Sequence, residues 1–244
     1  MSDPEKGKVV SLSGQPIYHH DEPAPFAPPQ GEEFIEEISE HIERHLGAIS
    51  TVFHEVISDT VHIDVHIVPP NQDFAGVRLI TSGMSDLPMA VPEGLEGLRF
   101  AELMLTLPAD WKLDQESFED ETWYWPVRLL KTLARLPHKH DTWLGFGHTV
   151  PNGDPEEPYA PGVPFTGAII LPPVTTPPAF SHLSIPDAKD IQFYSVVPLY
   201  PEEMALKLRK GSDELLDRFD RHGVNDAISL DRRNVAKKRI WPFG

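Results

Sequence analysis

The chain has 244 residues, enough to bury the core of one large domain, and its 40% hydrophobic and 24% charged residues are ordinary for a globular protein. It contains no cysteine, which excludes disulfides, thiolate metal sites and a cysteine nucleophile and fits a cytoplasmic location. The net charge of −17 disfavours nucleic acid and anionic membranes as partners; it favours a basic protein, with plain solubility as the competing explanation.

The first residues, Met1-Ser2-Asp3-Pro4-Glu5, lack the basic-then-apolar order of a secretory signal, and no apolar run is long enough to span a bilayer. Residues 1 to 30 read as a proline-rich tail, with Pro23, Pro25, Pro28 and Pro29 around the lone aromatic Phe26. Residues 31 to 47 predict an amphipathic helix. Phe34, Ile35, Ile38, Ile42 and Leu46 recur at spacings of three and four, and Gly47 is a natural stop. The second half of Ser50 to Val68 alternates, with Val61, Ile63, Val65 and Ile67 facing one way and His62, Asp64 and His66 the other, which predicts a strand with one buried face. Val77 to Thr81 and Leu98 to Leu107 predict two further strands.

Trp123 to Leu136 predicts a second helix, with Pro126 in its first turn and Pro137 ending it. Strands are then expected at Trp143 to Val150, Phe165 to Leu171 and Ile191 to Leu199. Pro201 opens a helix that ends at Gly211, and Ser212 opens a shorter one ended by Gly223. Together these elements predict an α/β (α+β) fold, a mixed and largely antiparallel sheet covered by helices in a single domain over residues 31 to 235. Residues 236 to 244 are expected as a basic and aromatic tail, part of a cluster holding Arg232, Arg233, Lys237, Lys238, Arg239, Trp241 and Phe243 that docks on its own domain, with a protein or phosphate contact as the alternative.

Catalytic motifs are incomplete. Period-two spacing puts His62, Asp64 and His66 on one strand face, and imidazole and carboxylate are legitimate ligands for zinc or iron, so these are the weak metal candidates. No partner motif of fixed spacing accompanies them, and a hydrogen-bonded polar face is the simpler expectation. His54-Glu55, and His41 with His45, fail the pattern of helical zinc proteases and are expected at the surface. Gly145-Phe146-Gly147-His148 starts like a dinucleotide loop but has Val150 where a third glycine belongs. No catalytic residue is nominated, no cofactor is expected, and the chain is expected not to be an enzyme.

Several blocks, in shared order, resemble the suppressor-of-fused family. They are Leu79-Ile80-Thr81-Ser82-Gly83-Met84-Ser85-Asp86-Leu87, Ala101-Glu102-Leu103-Met104-Leu105-Thr106-Leu107-Pro108, Trp125-Pro126-Val127 through Leu133-Ala134-Arg135, Gly145-Phe146-Gly147-His148, Ile191 through Met204, and Ser229-Leu230-Asp231-Arg232-Arg233-Asn234. The resemblance spans about residues 50 to 235 and covers only the N-terminal lobe of the two-lobed eukaryotic members, which clamp an extended peptide. It implies a protein-binding domain, here of the shorter bacterial kind, some of which are thought to be antitoxins or immunity proteins. The implied partner is another protein, a basic toxin or an extended peptide. From the motif blocks, the binding residues expected are Ser85, Asp86 and Leu87, then His148 and Tyr200. A metal-dependent enzyme using His62, Asp64 and His66 is the alternative class, and an exposed sheet edge beside Ser82 to Leu87 would favour a peptide-binding regulator.

Overall fold

The computed structural model describes residues 9–20, 31, 33–54 and 60–237. The N-terminal prolines Pro23 to Pro29 with Phe26, and the C-terminal Lys238, Arg239, Trp241 and Phe243, lie outside the described residues. Elements in chain order are β1 (Val9–Val10), β2 (Pro16–Ile17), α1 (Ile35–Leu46), β3 (Thr51–Phe53), β4 (Asp64–Val68), β5 (Val77–Ser82), β6 (Ala101–Leu107), α2 (Glu121–Lys139), β7 (Thr149–Pro151), β8 (Gly167–Leu171), β9 (His182–Ile185), β10 (Lys189–Leu199), α3 (Pro201–Lys210) and α4 (Ser212–His222).

Eight strands form one sheet in the order β3-β4-β5-β6-β10-β8-β7, with β9 also pairing β10. The β6–β10 pair is parallel and every other pair in the sheet is antiparallel. The mixed, largely antiparallel sheet expected from the sequence is therefore what forms.

Alternation decides which helix each residue meets. On one face Val61, Ile63, Val65, Leu79, Leu103, Leu105, Ala168, Ile170 and Val196 form a core with Trp125, Leu130 and Leu133 of α2. On the other face Val68, Ile80, Met104, Ile191 and Phe193 pack on Ile38, Ile42 and Leu46 of α1. Farther along that second face Ile169, Val197 and Leu199 meet α3 and α4 through Met204, Leu206, Leu215 and Phe219. The result is a three-layer α/β/α domain.

Having helices on both faces corrects the expectation of a half-exposed β4, because every residue from Asp64 to Val68 is buried. The helix expected over 31 to 47 begins later, at Ile35, and keeps its apolar stripe. Helix α2 is longer than expected, opened by the Asp120 side chain accepting the Thr122 N–H at 2.8 Å. Pro126 therefore lies in its second turn and Pro137 inside its last, where it does not end the helix. Of the strand expected over Trp143 to Val150, only Thr149–Pro151 pairs as β7.

Two hairpins carry weak sequence signals and were not expected. Strand β9 folds back on the start of β10, and β1–β2 lies within the proline-rich tail. The β1–β2 hairpin docks on α3 through the Ser13 N–H, which donates to Leu208 O at 3.1 Å.

Trp125 is fully buried, stacked on Tyr159 at 5.3 Å and edge-on to Trp111 at 6.1 Å. Trp125→Ala is expected to destabilise the fold by about 3–5 kcal/mol, read as a lowered denaturant midpoint with an unchanged slope.

Candidate functional site

Three of the residues singled out from sequence, Ser85, Asp86 and Leu87, lie in the turn that leaves β5. Gly83 has a φ of +104°, and a Cβ there would lie 1.8 Å from the carbonyl oxygen of His62, so only glycine allows this close approach. The chain then makes a short 3-10 turn over Met84–Asp86. Beneath it stands Glu102 of β6, fully buried. Its carboxylate accepts four hydrogen bonds, from Thr81 Oγ1 at 2.6 Å, Gly83 N at 3.0 Å, Ser85 N at 2.9 Å and Ser85 Oγ at 2.7 Å. Burial pushes the Glu102 pKa up while these donors pull it down, and burial dominates.

Other elements grip the same turn. Lys189, at the start of β10, donates from Nζ to Ser85 O at 3.0 Å and lies over the rings of Phe34 and Phe100. His138, near the end of α2, donates from Nε2 to Met84 O at 2.8 Å, and burial lowers its pKa. Gly31 crosses directly above, so close that a Cβ on it would lie 2.4 Å from Asp86 O. Asp86 is left with a pKa raised to about 7, first by burial and then by the neighbouring Glu102 charge, with Lys189 opposing.

Ser85 and Asp86 are therefore buried and held from within, and Leu87 is half-buried against the α2-side core. His148 and Tyr200 lie elsewhere and share no hydrogen bond, ion pair or ring contact with the turn among the described residues. His148 packs edge-on against Trp143 at 4.3 Å, and burial lowers its pKa. The Tyr200 hydroxyl donates to Arg232 O at 2.6 Å, and its ring lies under the Arg232 guanidinium.

The His62, Asp64 and His66 face is a hydrogen-bond network. Asp64 accepts from His54 Nδ1 at 2.7 Å through one oxygen and from His62 Nε2 at 2.9 Å through the other. His66 Nε2 pairs with Ser82 Oγ at 2.8 Å, and burial lowers the His66 pKa to about 4. Among the described residues no group of three or more His, Asp or Glu is placed to hold a metal ion.

His41, expected at the surface, is buried. It stacks on Phe180 and Phe193, and its Nε2 bonds to Phe180 O at 2.9 Å, so His41 is a core contact and not a surface residue. Sequence reasoning also passed over Glu102, Lys189 and the buried Glu203–Arg232 pair. Glu102 did leave a signal, as the lone charge in the apolar run Ala101–Leu107. Lys189 left none.

The chain is a single α+β domain in which the buried Glu102, Glu203 and Asp226 each hold an irregular segment of the chain's own backbone. The sequence model of the family described as Suppressor of fused protein matches residues 59–233, and the chain belongs to that family. No curated protein sequence matches it. Among solved structures it is similar to a suppressor-of-fused homologue from Neisseria gonorrhoeae, at 16% identity and a TM-score of 0.59 over 83% of this chain and 97% of that one. It is also similar to a chain of the Sufu–Fu complex, at 15% identity and a TM-score of 0.58 over 85% and 92%. Drosophila Suppressor of Fused matches at 15% identity and a TM-score of 0.55 over 85% of this chain and 51% of its own length. At these identities the likeness speaks to the fold. No helix among the described residues is long and apolar enough to cross a membrane.

Two predictions follow from the turn. Glu102→Gln turns an amide NH2 toward groups that donate, and is expected to cost on the order of 1–3 kcal/mol in chemical denaturation. Asp86 has a stability signature of its own. Unfolded, it ionises near 3.8; folded, it keeps its proton to about 7. Between those values the native state holds a proton that the unfolded chain has released. Stability through this group therefore falls as pH rises, by at most about 1.4 kcal/mol per pH unit, and the loss is complete above pH 7. Subtracting the Asp86→Asn curve from wild type, in urea titrations across pH 4 to 8, is expected to isolate that slope.

Proposed function

We propose that this chain is a non-enzymatic protein-binding domain that captures a basic protein, in the manner of an immunity protein or antitoxin neutralising a toxin in the cytoplasm. The observation that carries this reading is family membership over residues 59–233, in a family with a member solved as the Sufu–Fu complex.

Charge supports the choice of partner. The chain has 38 acidic against 21 basic residues. Several of the basic ones are held by acids of this chain, as in Arg232–Glu203, Arg128–Glu121, Arg218–Glu214 and Lys237–Glu202. The field left over is negative and would steer a cationic partner toward the domain. The engagement of both Asp64 oxygens by His54 and His62 favours binding over the metal-enzyme alternative. Strand β5 has neighbours on both sides, so strand addition beside Ser82 to Leu87 is disfavoured as the way a peptide would bind.

The test is capture of partners by the tagged chain from its native cells, with mass spectrometry and metal analysis of one preparation. A stoichiometric basic protein is expected, associating about tenfold or more slowly as salt rises from low to physiological strength. A preparation that retains zinc or iron and no protein would overturn this reading in favour of the enzyme.

A further inference from the structure

A lysine is seldom buried without a partner, and Lys207, in the last turn of α3, is such a case. The residue is 7% exposed, and its Nζ has no hydrogen-bond or ion-pair partner among the described residues. Burial lowers its pKa, and among the described residues no carboxylate stands near enough to hold it up. The ammonium is not sealed in either. Its Nζ is not one of the polar atoms that the fold both closes off and leaves unpaired, so a small ion can reach it.

Three elements meet around this side chain. Helix α3 ends at Gly211, whose N–H donates to Lys207 O at 2.8 Å, and α4 starts at once with Ser212. The turn before β7 lies against that start, so close that a Cβ on Gly147 would be 3.3 Å from Ser212 Oγ. The Lys207 charge reaches His148, the next residue of the turn, and disfavours its protonation. The β1–β2 hairpin closes the third side. Ser13 N donates to Leu208 O at 3.1 Å, Ser13 Oγ to Lys207 O at 3.4 Å, and Gln15 Nε2 to Ser212 Oγ at 3.5 Å.

The start of α4 is a second, separate source of positive potential. The helix has 11 residues, and its cap residue Gly211 supplies no side-chain acceptor, so the first-turn N–H groups are left uncapped at the positive end of the dipole. Asp213 and Glu214 lie in the same turn, but Arg218 takes Glu214 at 2.6 Å, and neither acid raises the Lys207 pKa. The Ser212 hydroxyl accepts from Gln15, which leaves its own proton free to donate. An unpaired buried ammonium and an uncapped helix start, on two different helices, thus both call for negative charge at one junction.

We propose that this junction binds a small oxyanion, either inorganic phosphate or the phosphate group of a small metabolite. Its oxygens accept from Lys207 Nζ, from the first-turn N–H groups of α4 and from the Ser212 hydroxyl. These donors come from two helices, and a tetrahedral ion with several acceptor oxygens serves them together where a chloride could not. The site is independent of the protein-binding function proposed above, because it stands on local positive potential in a chain whose overall field is negative.

The probes are inorganic phosphate and glycerol phosphate, each titrated into the full chain at pH 7 with sodium chloride adjusted to hold ionic strength constant. Saturable binding is expected, with amide shifts at residues 147–148 and 211–214 and a melting temperature that rises with phosphate and not with chloride. Tighter binding of glycerol phosphate would assign the site to a phosphate ester, and tighter binding of inorganic phosphate to the free ion. Lys207→Met keeps the buried stem and removes the charge. It is expected to weaken binding about tenfold or more and to raise the melting temperature without phosphate, because an unpaired buried charge is gone. Lys207→Arg, which keeps a cation, is expected to bind within about threefold of wild type. No saturable binding of either probe below about 10 mM would overturn the site. So would equal binding by wild type and Lys207→Met, or shifts scattered away from the junction.

Discussion

A carboxylate with no water around it must be given donors by the protein, and at Glu102 that requirement shapes the turn where the sequence blocks meet. An unpaired buried charge would cost several kcal/mol, enough to threaten a fold of ordinary stability. Four donors surround it, two of them backbone N–H groups at Gly83 and Ser85. Those two point at one oxygen only if the chain turns through a left-handed residue against the His62 carbonyl, so glycine is demanded at position 83 by two separate constraints. The next residue along, Asp86, then lies beside a like charge in a dry place, which explains why it holds its proton and why Lys189 is drawn in from β10.

The device recurs. Asp226 accepts from the Ser195 hydroxyl at 2.7 Å and from the backbone of Val174 and Thr175, holding the loop after β8. Glu203 receives the Arg232 guanidinium and the Val235 N–H, tying the segment after α4 to the start of α3. Arg232 also lies over the rings of Phe165, Tyr200 and Phe219. Three acids of an acidic chain thus serve as internal anchors, each fixing an irregular segment whose backbone groups a strand or helix does not satisfy. This arrangement accounts for why Ser85 and Tyr200, prominent in the sequence blocks, have their polar groups directed inward.

What was legible in the sequence follows from the range of each signal. Alternation and helical periodicity are local, so β4, β5, β6, β10 and all four helices could be read from residues near one another. Whether a strand is covered on one face or two depends on helices far away in the chain, which is why β4 was expected half-exposed. Pro126 and Pro137 were taken as boundaries, yet a helix tolerates proline where neighbouring packing holds it, and Asp120 supplies a start signal upstream of both. The histidines show the same limit. His41 looks like a surface residue by spacing alone; its burial is set by Phe180 and Phe193, more than a hundred residues away. Of the turn, the members Ser85, Asp86 and Leu87 were readable as a block. Lys189 was not, because its partner is a backbone carbonyl that no side-chain pattern reveals.

That buried histidine also bears on how α1 is held. Here the helix is joined to the sheet by more than its apolar stripe. His41 stacks on two phenylalanines and bonds the Phe180 carbonyl, and Ile38 and Ile42 on either side are fully buried. Burial lowers the His41 pKa, which keeps the ring neutral and compatible with the aromatic pair it lies against. The glutamates on the outward side of α1 are therefore held by the same helix that the core holds.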